Sequence, residues 1–330
     1  MVRVLLLGVG QFGRSWAEEV IPACSDVCRF AAAVDQRAER DAYVPQGVAF
    51  YTDLDTALGE VRPDLVINVT PPNLHTALNR KLLSAGYPVL CEKPVAESPE
   101  DARELLAFYR RHGGFLMIAD NYRYAPVFRR CREVLASGKI GNIHSVQCRF
   151  RHYHPDFSAF YHGKLDQPLL LDVTVHHLDT ARYLTGLEPV RTRCEAWSAP
   201  YAWYGQRPAN ALIHSWLTGA VPFTYFGTLA APSSTTDWLG DWEIECDGGT
   251  LAVREGRLLL YQAENQPPVR LAERGEERAS RAAVLREAVS ALGGGRKGET
   301  DLEDQMRTYR WVQDAIASSR SGKEVFSLSE

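Results

Sequence analysis

The chain begins MVRVLLLGVGQFGRSW (residues 1–16), and this stretch indicates the architecture of the first half of the protein. Residues 2–7 form a short apolar run rich in Val and Leu, which is typical of a strand buried on both faces. The next six residues, 8–13, read GVGQFG, a complete G-x-G-x-x-G, and a helical stretch follows to about residue 20. A glycine-rich turn between a strand and a helix predicts a dinucleotide-binding βαβ unit.

Each glycine of this motif has a separate physical task. Gly8 allows the tight turn, Gly10 lets the backbone approach a pyrophosphate, and Gly13 lets the helix pack closely on the strand. Gln11 and Phe12 complete the motif at the start of the helix, where free N–H groups face the phosphates. We therefore predict that all five residues bind the cofactor.

An acidic residue at the end of the second predicted strand indicates which cofactor binds. Asp35 lies 22 residues after Gly13, where a carboxylate accepts hydrogen bonds from an adenosine ribose. A carboxylate there repels a 2′-phosphate, which favours NAD over NADP. Arg37, two positions on, could meet such a phosphate, so NADP stays possible.

Alternating strand and helix patterns continue through the first 120 residues, whereas the remainder is dominated by longer strand-like runs separated by turns. The first pattern predicts a parallel sheet with right-handed crossovers, and the second an antiparallel or mixed sheet. We expect an α/β protein with an N-terminal Rossmann domain over residues 1–122 and an α+β domain over residues 123–330 that binds substrate and mediates oligomerisation.

Composition excludes several classes of protein. Of the 330 residues, 45% are hydrophobic and 24% charged, which is ordinary for a globular chain. A net charge of -4 gives no basic excess for nucleic acid. No apolar run approaches the roughly 18 residues of a membrane span, and no signal peptide is apparent. Seven scattered cysteines argue for a reducing compartment, which predicts a cytoplasmic protein.

Two motifs follow predicted strands of the first domain, one reading TPPNLH (residues 70–75) and the other EKP (residues 92–94). Loops at the carboxyl ends of parallel strands form the ligand crevice of an open α/β sheet. Lys93 is therefore predicted to face the cofactor.

A third motif, DVTVHHLD (residues 172–179), lies on a predicted helix over residues 171–184. Asp172 and His176 are four residues apart and share a helix face, so the carboxylate could orient the imidazole and tune its pKa. The alternative is a helix packed through Val175, Leu178 and Ala181 that carries incidental polar residues.

Together these motifs resemble the glucose–fructose oxidoreductase/inositol dehydrogenase/rhizopine-catabolism family of NAD(P)-dependent sugar and cyclitol oxidoreductases. The resemblance covers nearly the whole chain and also includes the stretch NYRYAPVFRRCREVLASGKIGNI (residues 121–143). It implies a second domain with a large, mostly antiparallel sheet whose exposed face forms homodimers or homotetramers.

The resemblance also implies roles for individual residues. Lys93 and His176 would lie beside the nicotinamide, with Asp172 helping to position substrate and base, and the Lys93–Pro94 peptide would be cis. Five further residues would lie along the cofactor: Thr70, Pro71, His75, Glu92 and Asn121.

The predicted reaction is the reversible oxidation of a secondary ring alcohol of a sugar, cyclitol or derivative. His176 would act as general base and Lys93 would stabilise the developing alkoxide. Arg123, Tyr153 and His154 are candidates for binding other hydroxyls of the polyol, in and beside a segment rich in His and aromatic residues (152–162). We expect no metal.

Three alternatives remain open from the sequence. An NAD-dependent glycosidase would use transient oxidation and elimination on the same fold. A non-catalytic Rossmann ligand sensor would have no need of a proton-transfer set. A reductase of an open-chain or pyrrole-type substrate would prefer NADPH and run in the reverse direction.

Overall fold

The computed structural model describes residues 1–153, 161–262, 266–273 and 277–327. The chain divides into two compact units, the first formed by Met1–Asn121 with Arg278–Met306 and the second by Tyr122–Glu277 with Arg307–Glu330. The boundary expected at residue 122 lies at the first crossing between the units. That expectation assigned residues 278–306 to the second domain, whereas they belong to the first unit.

The first unit is built on a six-stranded parallel sheet in the order β3-β2-β1-β4-β5-β6. Strands β4, β5 and β6 are fully buried and, apart from Asn68, apolar, as a sheet covered on both faces requires. The strands are β1 Val2–Leu7, β2 Cys28–Val34, β3 Ala49–Tyr51, β4 Leu65–Asn68, β5 Val89–Cys91 and β6 Leu116–Ile118.

Helices connect these strands and begin at recognisable caps. The helix after β5 starts with Pro at its first position, behind Ser98, whose side chain accepts the N–H of Asp101. The helices of this part are α1 Gln11–Ser15, which continues as a π-helix over Trp16–Val20, α2 Leu54–Val61, α3 His75–Ser84 and α4 Pro99–His112.

Residues 278–306 complete the first unit from the far end of the sequence. They comprise most of α7 (Glu277–Gly293) and the first turn of α8 (Leu302–Ser321). Thr300 donates its hydroxyl to the Ile118 carbonyl at 2.6 Å, and the Ile118 N–H bonds back to Thr300 at 2.8 Å.

The second unit carries a nine-stranded sheet in the order β14-β13-β12-β11-β7-β10-β9-β8-β15. Only the β7–β10 pair is parallel among the strands described. The strands are β7 Ile143–Arg151, β8 Pro189–Ser198, β9 Pro208–Leu217, β10 Val221–Thr228, β11 Asp241–Cys246, β12 Gly249–Arg254, β13 Arg257–Tyr261, β14 Val269–Glu273 and β15 Val325–Phe326.

One face of this sheet is covered and the other is partly open. Strands β10 and β11 alternate buried and half-buried residues, the pattern of a one-sided sheet. The covered face packs against α5 (Pro126–Ala136), α6 (Val175–Thr185) and α8, with Trp311 of α8 donating its indole N–H to Ser215 at 3.0 Å. No helix among the described residues combines the length and apolarity that crossing a bilayer demands.

The predicted fold class is confirmed, and the differences are local. The sequence pattern missed β3, which is three residues long and lies at a sheet edge, and also missed the strands β12, β14 and β15 and the helix α2. The helix expected over residues 171–184 begins instead as a π-helix at Leu170–Thr174 and becomes α-helical at Val175.

Candidate functional site

The turn after β1 is shaped by Gly8 and Gly13, neither of which has room for a side chain. Gly8 has φ of +94°, and a Cβ there would lie 2.8 Å from the Val69 carbonyl oxygen. A Cβ on Gly13 would collide with the Gly8 carbonyl oxygen, so the helix rests directly on the turn. A Cβ built on Gly10 would lie 3.6 Å from Nη1 of the Arg40 guanidinium, which is an ordinary van der Waals distance. This cradle of exposed backbone fits a dinucleotide pyrophosphate.

Asp35 lies at the end of β2 beside this turn and is 8% exposed. Its Oδ2 accepts the Val9 N–H at 2.8 Å, which ties the acid to the glycine turn. Its Oδ1 accepts the backbone N–H of Arg37 at 3.0 Å. The guanidinium that reaches the carboxylate belongs to Arg40, whose Nη1 lies 2.6 Å from Oδ2. Arg37 was the arginine singled out from the sequence, and its own side chain is exposed.

His75 connects the two loops that follow β4 and β5. Its ring is fully buried, with Nε2 2.9 Å from the Thr70 carbonyl oxygen and Nδ1 2.9 Å from the Pro94 carbonyl oxygen. Burial lowers the pKa of His75, and the two carbonyls oppose that shift without overcoming it. A neutral imidazole carries a single N–H, so the buried ring lies between the TPPNLH and EKP segments and donates to one of the two carbonyls.

Thr70 is held from its other side by a buried amide pair. Its hydroxyl donates to Asn68 Oδ1 at 2.7 Å, and Asn68 donates in turn to Asn79 at 2.8 Å. Pro71, next in the loop, is exposed at the carboxyl end of the sheet. Asn68 and Asn79 were not identified from the sequence. Asn68 ends a short apolar strand and Asn79 lies within α3, and nothing in either pattern indicates that the two amides pair to support the loop.

Glu92 and Lys93 occupy the loop after β5. Glu92 is 7% exposed and accepts the indole N–H of Trp16 at 2.8 Å, while its other oxygen accepts the Lys93 N–H at 3.2 Å. Lys93 is half-buried, and the Lys93–Pro94 peptide is cis, as the resemblance implied. Trp16 was missed by sequence reasoning, since 76 residues separate it from Glu92.

Asn121 ends the first segment of this unit and is half-buried. Its side-chain amide donates to the Ser280 hydroxyl at 2.8 Å. The next residue of α7, Arg281, places its guanidinium 5.4 Å from the centre of the exposed Phe12 ring. Its Nη1 also donates a hydrogen bond to the Ser15 hydroxyl at 2.8 Å. The returning segment 278–306 thus supports both ends of the predicted cofactor site within the first unit.

In the second unit, His176 lies on the first turn of α6 and is 6% exposed. Its imidazole stacks on the Tyr122 ring, with centroids 4.3 Å apart and planes 16° from parallel. Asp172 is half-buried within the π-helical turn immediately before it. A π-turn widens the helix and changes the angular offset between these two residues from that of an ideal α-helix, and such turns are frequent at functional sites.

The neighbouring His177 serves a different purpose. Its Nε2 lies 3.0 Å from the Trp238 carbonyl oxygen, and its Nδ1 lies 3.3 Å from the Tyr225 hydroxyl, which also accepts from Thr174 at 3.1 Å. His177 is fully buried. It therefore anchors α6 to the sheet while His176 stacks on Tyr122.

Arg123, predicted to bind a substrate hydroxyl, forms a buried ion pair with Asp179 in the second unit. It is 4% exposed, donates Nε to Asp179 Oδ2 at 2.7 Å and pairs through Nη2 with Oδ1 of the same carboxylate. Thr308 also donates to Asp179 at 2.9 Å, and Arg182 lies 3.9 Å from it. The observed contact of Arg123 is thus a buried ion pair that holds α6, and a substrate contact stays a prediction.

Tyr204, a residue missed by the sequence analysis, interacts electrostatically with both Asp172 and Tyr153. Tyr153 is 49% exposed and pairs with Ala230 in an isolated bridge. Burial raises the pKa of Tyr204 far above its usual range, and the charges of Asp172 and Tyr153 raise it further. Tyr204 also stacks on Trp203 at 4.0 Å. His154, predicted to bind substrate, lies outside the described residues.

Comparison with known families covers both units. A family model described as "Oxidoreductase family, NAD-binding Rossmann fold" matches residues 2–120. A second model, described as "GFO/IDH/MocA C-terminal domain", matches residues 128–252. Together they account for most of the chain.

Individual relatives are distant in sequence but similar in fold. D-apiose dehydrogenase of Paraburkholderia graminis is 26% identical over 97% of this chain and 88% of its own length. Inositol 2-dehydrogenase of Rhizobium meliloti is 29% identical over 59% of this chain and 58% of its own length. An oxidoreductase from Agrobacterium radiobacter, solved in complex with NAD+, L-tartaric acid and magnesium, superposes with a TM-score of 0.88 at 21% identity over 98% of both chains.

Proposed function

The chain belongs to the GFO/IDH/MocA oxidoreductase family and has its NAD-binding Rossmann domain, and we propose that it reversibly oxidises a secondary ring alcohol of a sugar, cyclitol or derivative to a ketone. The observation that carries this proposal is the segment from Asp172 to His176. A histidine that is 6% exposed is held in one orientation against Tyr122, directly after a π-turn that presents a carboxylate. A buried, oriented imidazole next to an acid suits proton transfer at neutral pH.

The proposed roles follow from the chemistry of each group. His176 takes the hydroxyl proton on an imidazole nitrogen, and Asp172 orients the substrate and this base. The Lys93 ammonium stabilises negative charge that develops on the substrate oxygen. Nicotinamide, when bound, supplies the hydride acceptor. In the reverse direction His176 returns its proton to the ketone oxygen.

The cofactor contacts are proposed on the geometry of the first unit. The glycine turn cradles the pyrophosphate, and Asp35 receives the adenosine ribose. His75 and Glu92 hold the loops on which Thr70 and Lys93 stand, so these two act through position. The proposed set is Gly8, Gly10, Gln11, Phe12, Gly13, Asp35, Arg37, Thr70, Pro71, His75, Glu92, Lys93 and Asn121.

For the substrate we propose contacts from Tyr153, His154 and Arg123, and we add Tyr204. The Tyr204 hydroxyl stays protonated at any physiological pH, because burial raises its pKa. It therefore remains a hydrogen-bond donor to a sugar hydroxyl. Relatives named for D-apiose, inositol and D-glucoside support a polyol substrate of this class.

The experiment is reduction of NAD in the presence of single inositols, aldoses, sugar acids and amino sugars. Lys93→Ala and His176→Gln should abolish turnover while NAD binding by calorimetry persists. Lys81→Ala and His144→Gln are matched controls, since both side chains are exposed and pair with surface carboxylates. Turnover retained in both test variants would refute the assignment. Glycoside cleavage without accumulation of NADH would replace it with the glycosidase alternative.

We also propose self-association through the open face of the nine-stranded sheet. A depression of about 280 Å³ on this face is lined by Leu212, Phe226 and the ion pairs Arg149–Asp241 and Arg254–Glu243. Leu212 is 44% exposed there. Light scattering should give a dimer or tetramer that Leu212→Asp dissociates, and a monomeric parent protein would contradict the proposal.

A cytoplasmic location is proposed on the cysteines. All seven are free and buried, so none is used as a disulfide. Burial raises the pKa of Cys24 to about 11 and of Cys131 to about 12, which keeps these thiols protonated and unreactive. Expression and fractionation would test the location directly.

A further inference from the structure

We propose that Arg40 makes this protein accept a 2′-phosphate on the adenosine ribose, so that NADP binds as well as NAD. The inference rests on the proposed NAD(P)-dependent function and concerns the ribose end of the same site. It concerns a residue that the sequence pattern did not single out, and it changes the meaning of Asp35.

The Asp35 carboxylate does not present a lone negative charge to the ribose. Arg40 Nη1 lies 2.6 Å from Asp35 Oδ2, and the two side chains are 24% and 8% exposed. A carboxylate at the end of the second strand normally excludes a 2′-phosphate by repulsion between like charges. Here the adjacent guanidinium offsets that charge, which removes the electrostatic basis for exclusion.

The guanidinium also stands where the phosphate would arrive. Arg40 Nη1 lies 3.6 Å from the point where a Cβ on Gly10 would be. Gly10 is the glycine that lets the protein backbone approach the cofactor. Arg40 therefore lies between the ribose acid and the glycine turn. Its planar fork of five donors can bind a phosphate by two parallel hydrogen bonds while its stem stays in place.

The local backbone explains why Arg40 reaches Asp35 and Arg37 does not. A single 3₁₀ stretch over Ala38–Tyr43 follows Arg37, and the Arg40 N–H bonds to the Arg37 carbonyl at 3.1 Å. This turn folds the chain back over the end of β2. Arg37 is left with an exposed side chain, and only its backbone N–H contacts Asp35.

A different use of the same guanidinium is to bind the pyrophosphate, which NAD and NADP share. The two uses give different ratios of affinity. A contact with the 2′-phosphate weakens only NADP when it is lost, whereas a contact with the pyrophosphate weakens both cofactors equally. Fragments separate the two further, since 2′,5′-ADP carries the 2′-phosphate without a pyrophosphate and 5′-AMP carries neither.

The test is calorimetric binding of NAD, NADP, 2′,5′-ADP and 5′-AMP to the full chain and to Arg40→Ala, Arg40→Gln and Arg37→Ala. We expect NADP to bind the parent protein within about tenfold of NAD. Both Arg40 variants should weaken NADP and 2′,5′-ADP by about 10- to 100-fold, the range for a hydrogen bond to a charged group. NAD and 5′-AMP should change by less than about threefold in the Arg40 variants, and Arg37→Ala should weaken NADP less than Arg40→Ala does, because only the backbone N–H of Arg37 contacts Asp35.

Equal loss of NAD and NADP in the Arg40 variants, an unchanged NADP affinity, or a parent protein that binds NADP more than about 100-fold more weakly than NAD would each overturn the proposal. Binding is measured without turnover, so a protein that fails to oxidise any polyol leaves this inference intact. Conversely, NAD-dependent turnover with no effect of Arg40 on NADP overturns the inference and leaves the proposed function standing.

Discussion

The buried pair between Arg123 and Asp179 provides the sharpest test of how the second unit is held together. Asp179 is fully buried on α6, and Arg123 is 4% exposed on the short helix Tyr122–Tyr124. The pair joins two segments 56 residues apart through both nitrogens of the guanidinium fork and both carboxylate oxygens. We predict that each of the two side chains stabilises the folded protein almost entirely through its interaction with the other.

Removing either partner alone should be costly. Asp179→Leu leaves a guanidinium in the interior without that carboxylate, which costs about 3–5 kcal/mol. Arg123→Met should cost about 3 kcal/mol, at the lower end, because Thr308 still donates to Asp179 at 2.9 Å and Arg182 lies 3.9 Å away.

The double variant Arg123→Met/Asp179→Leu should recover most of this loss. Replacing a buried ion pair by apolar residues of similar volume is often neutral or stabilising. The remaining cost is about 1 kcal/mol for the Thr308 hydroxyl, which loses its acceptor. The coupling free energy is therefore at least about 5 kcal/mol, well beyond that of side chains that do not interact.

Urea unfolding followed by circular dichroism gives the free energy of unfolding for the four proteins of the cycle. A double variant as unstable as the sum of the single variants would refute the reasoning. The KM for the polyol is a second readout. If Arg123 acts only by fixing α6, the stable double variant keeps the KM of the parent protein. If Arg123 contacts the substrate directly, loss of that contact raises the KM.

Three further outcomes are expected. Gly13→Ala should weaken NAD binding more than tenfold, because its Cβ collides with the turn, whereas Gly59→Ala, with nothing within 4 Å, should bind NAD normally; equal binding by both would contradict the cradle. Burial lowers the pKa of His75 in the folded protein. At pH values below the usual histidine pKa of about 6.5, the unfolded state therefore binds more protons than the folded state. The free energy of unfolding should fall as the pH drops from about 6.5 towards the folded pKa, by up to about 1.4 kcal/mol per pH unit. His75→Gln should flatten that slope in unfolding measurements at pH 5 to 8, and an unchanged slope would count against it. Trp16→Phe should cost about 1.5–3 kcal/mol in thermal unfolding, because the buried Glu92 carboxylate loses its 2.8 Å indole donor.

Much of the first unit follows from sequence because its causes are local. The run Val2–Leu7 and the glycine turn after it were predicted with the correct start and end, since buried parallel strands and tight turns each leave a compositional mark. The place of Asp35 beside the glycine turn could also be predicted, because it depends on the distance along the chain from the glycines.

Features that depend on which surfaces meet could not be predicted in this way. The sequence pattern does not show which of the two units residues 278–306 belong to, so their assignment to the first unit was missed. The same limit hid the contact of Trp16 with Glu92 and that of Tyr122 with His176.

The sequence alone determined the fold class, the glycine turn, the acid at the end of β2 and the order in which the loops leave the sheet, because near-neighbour sterics and the period of burial govern each of them. Only the tertiary structure decided what surrounds each charge. Arg40 rather than Arg37 neutralises Asp35, and Arg123 is committed to Asp179. The physical reason is that an ion pair depends on the distance between side chains after the chain has folded, and that distance has no counterpart in local sequence spacing.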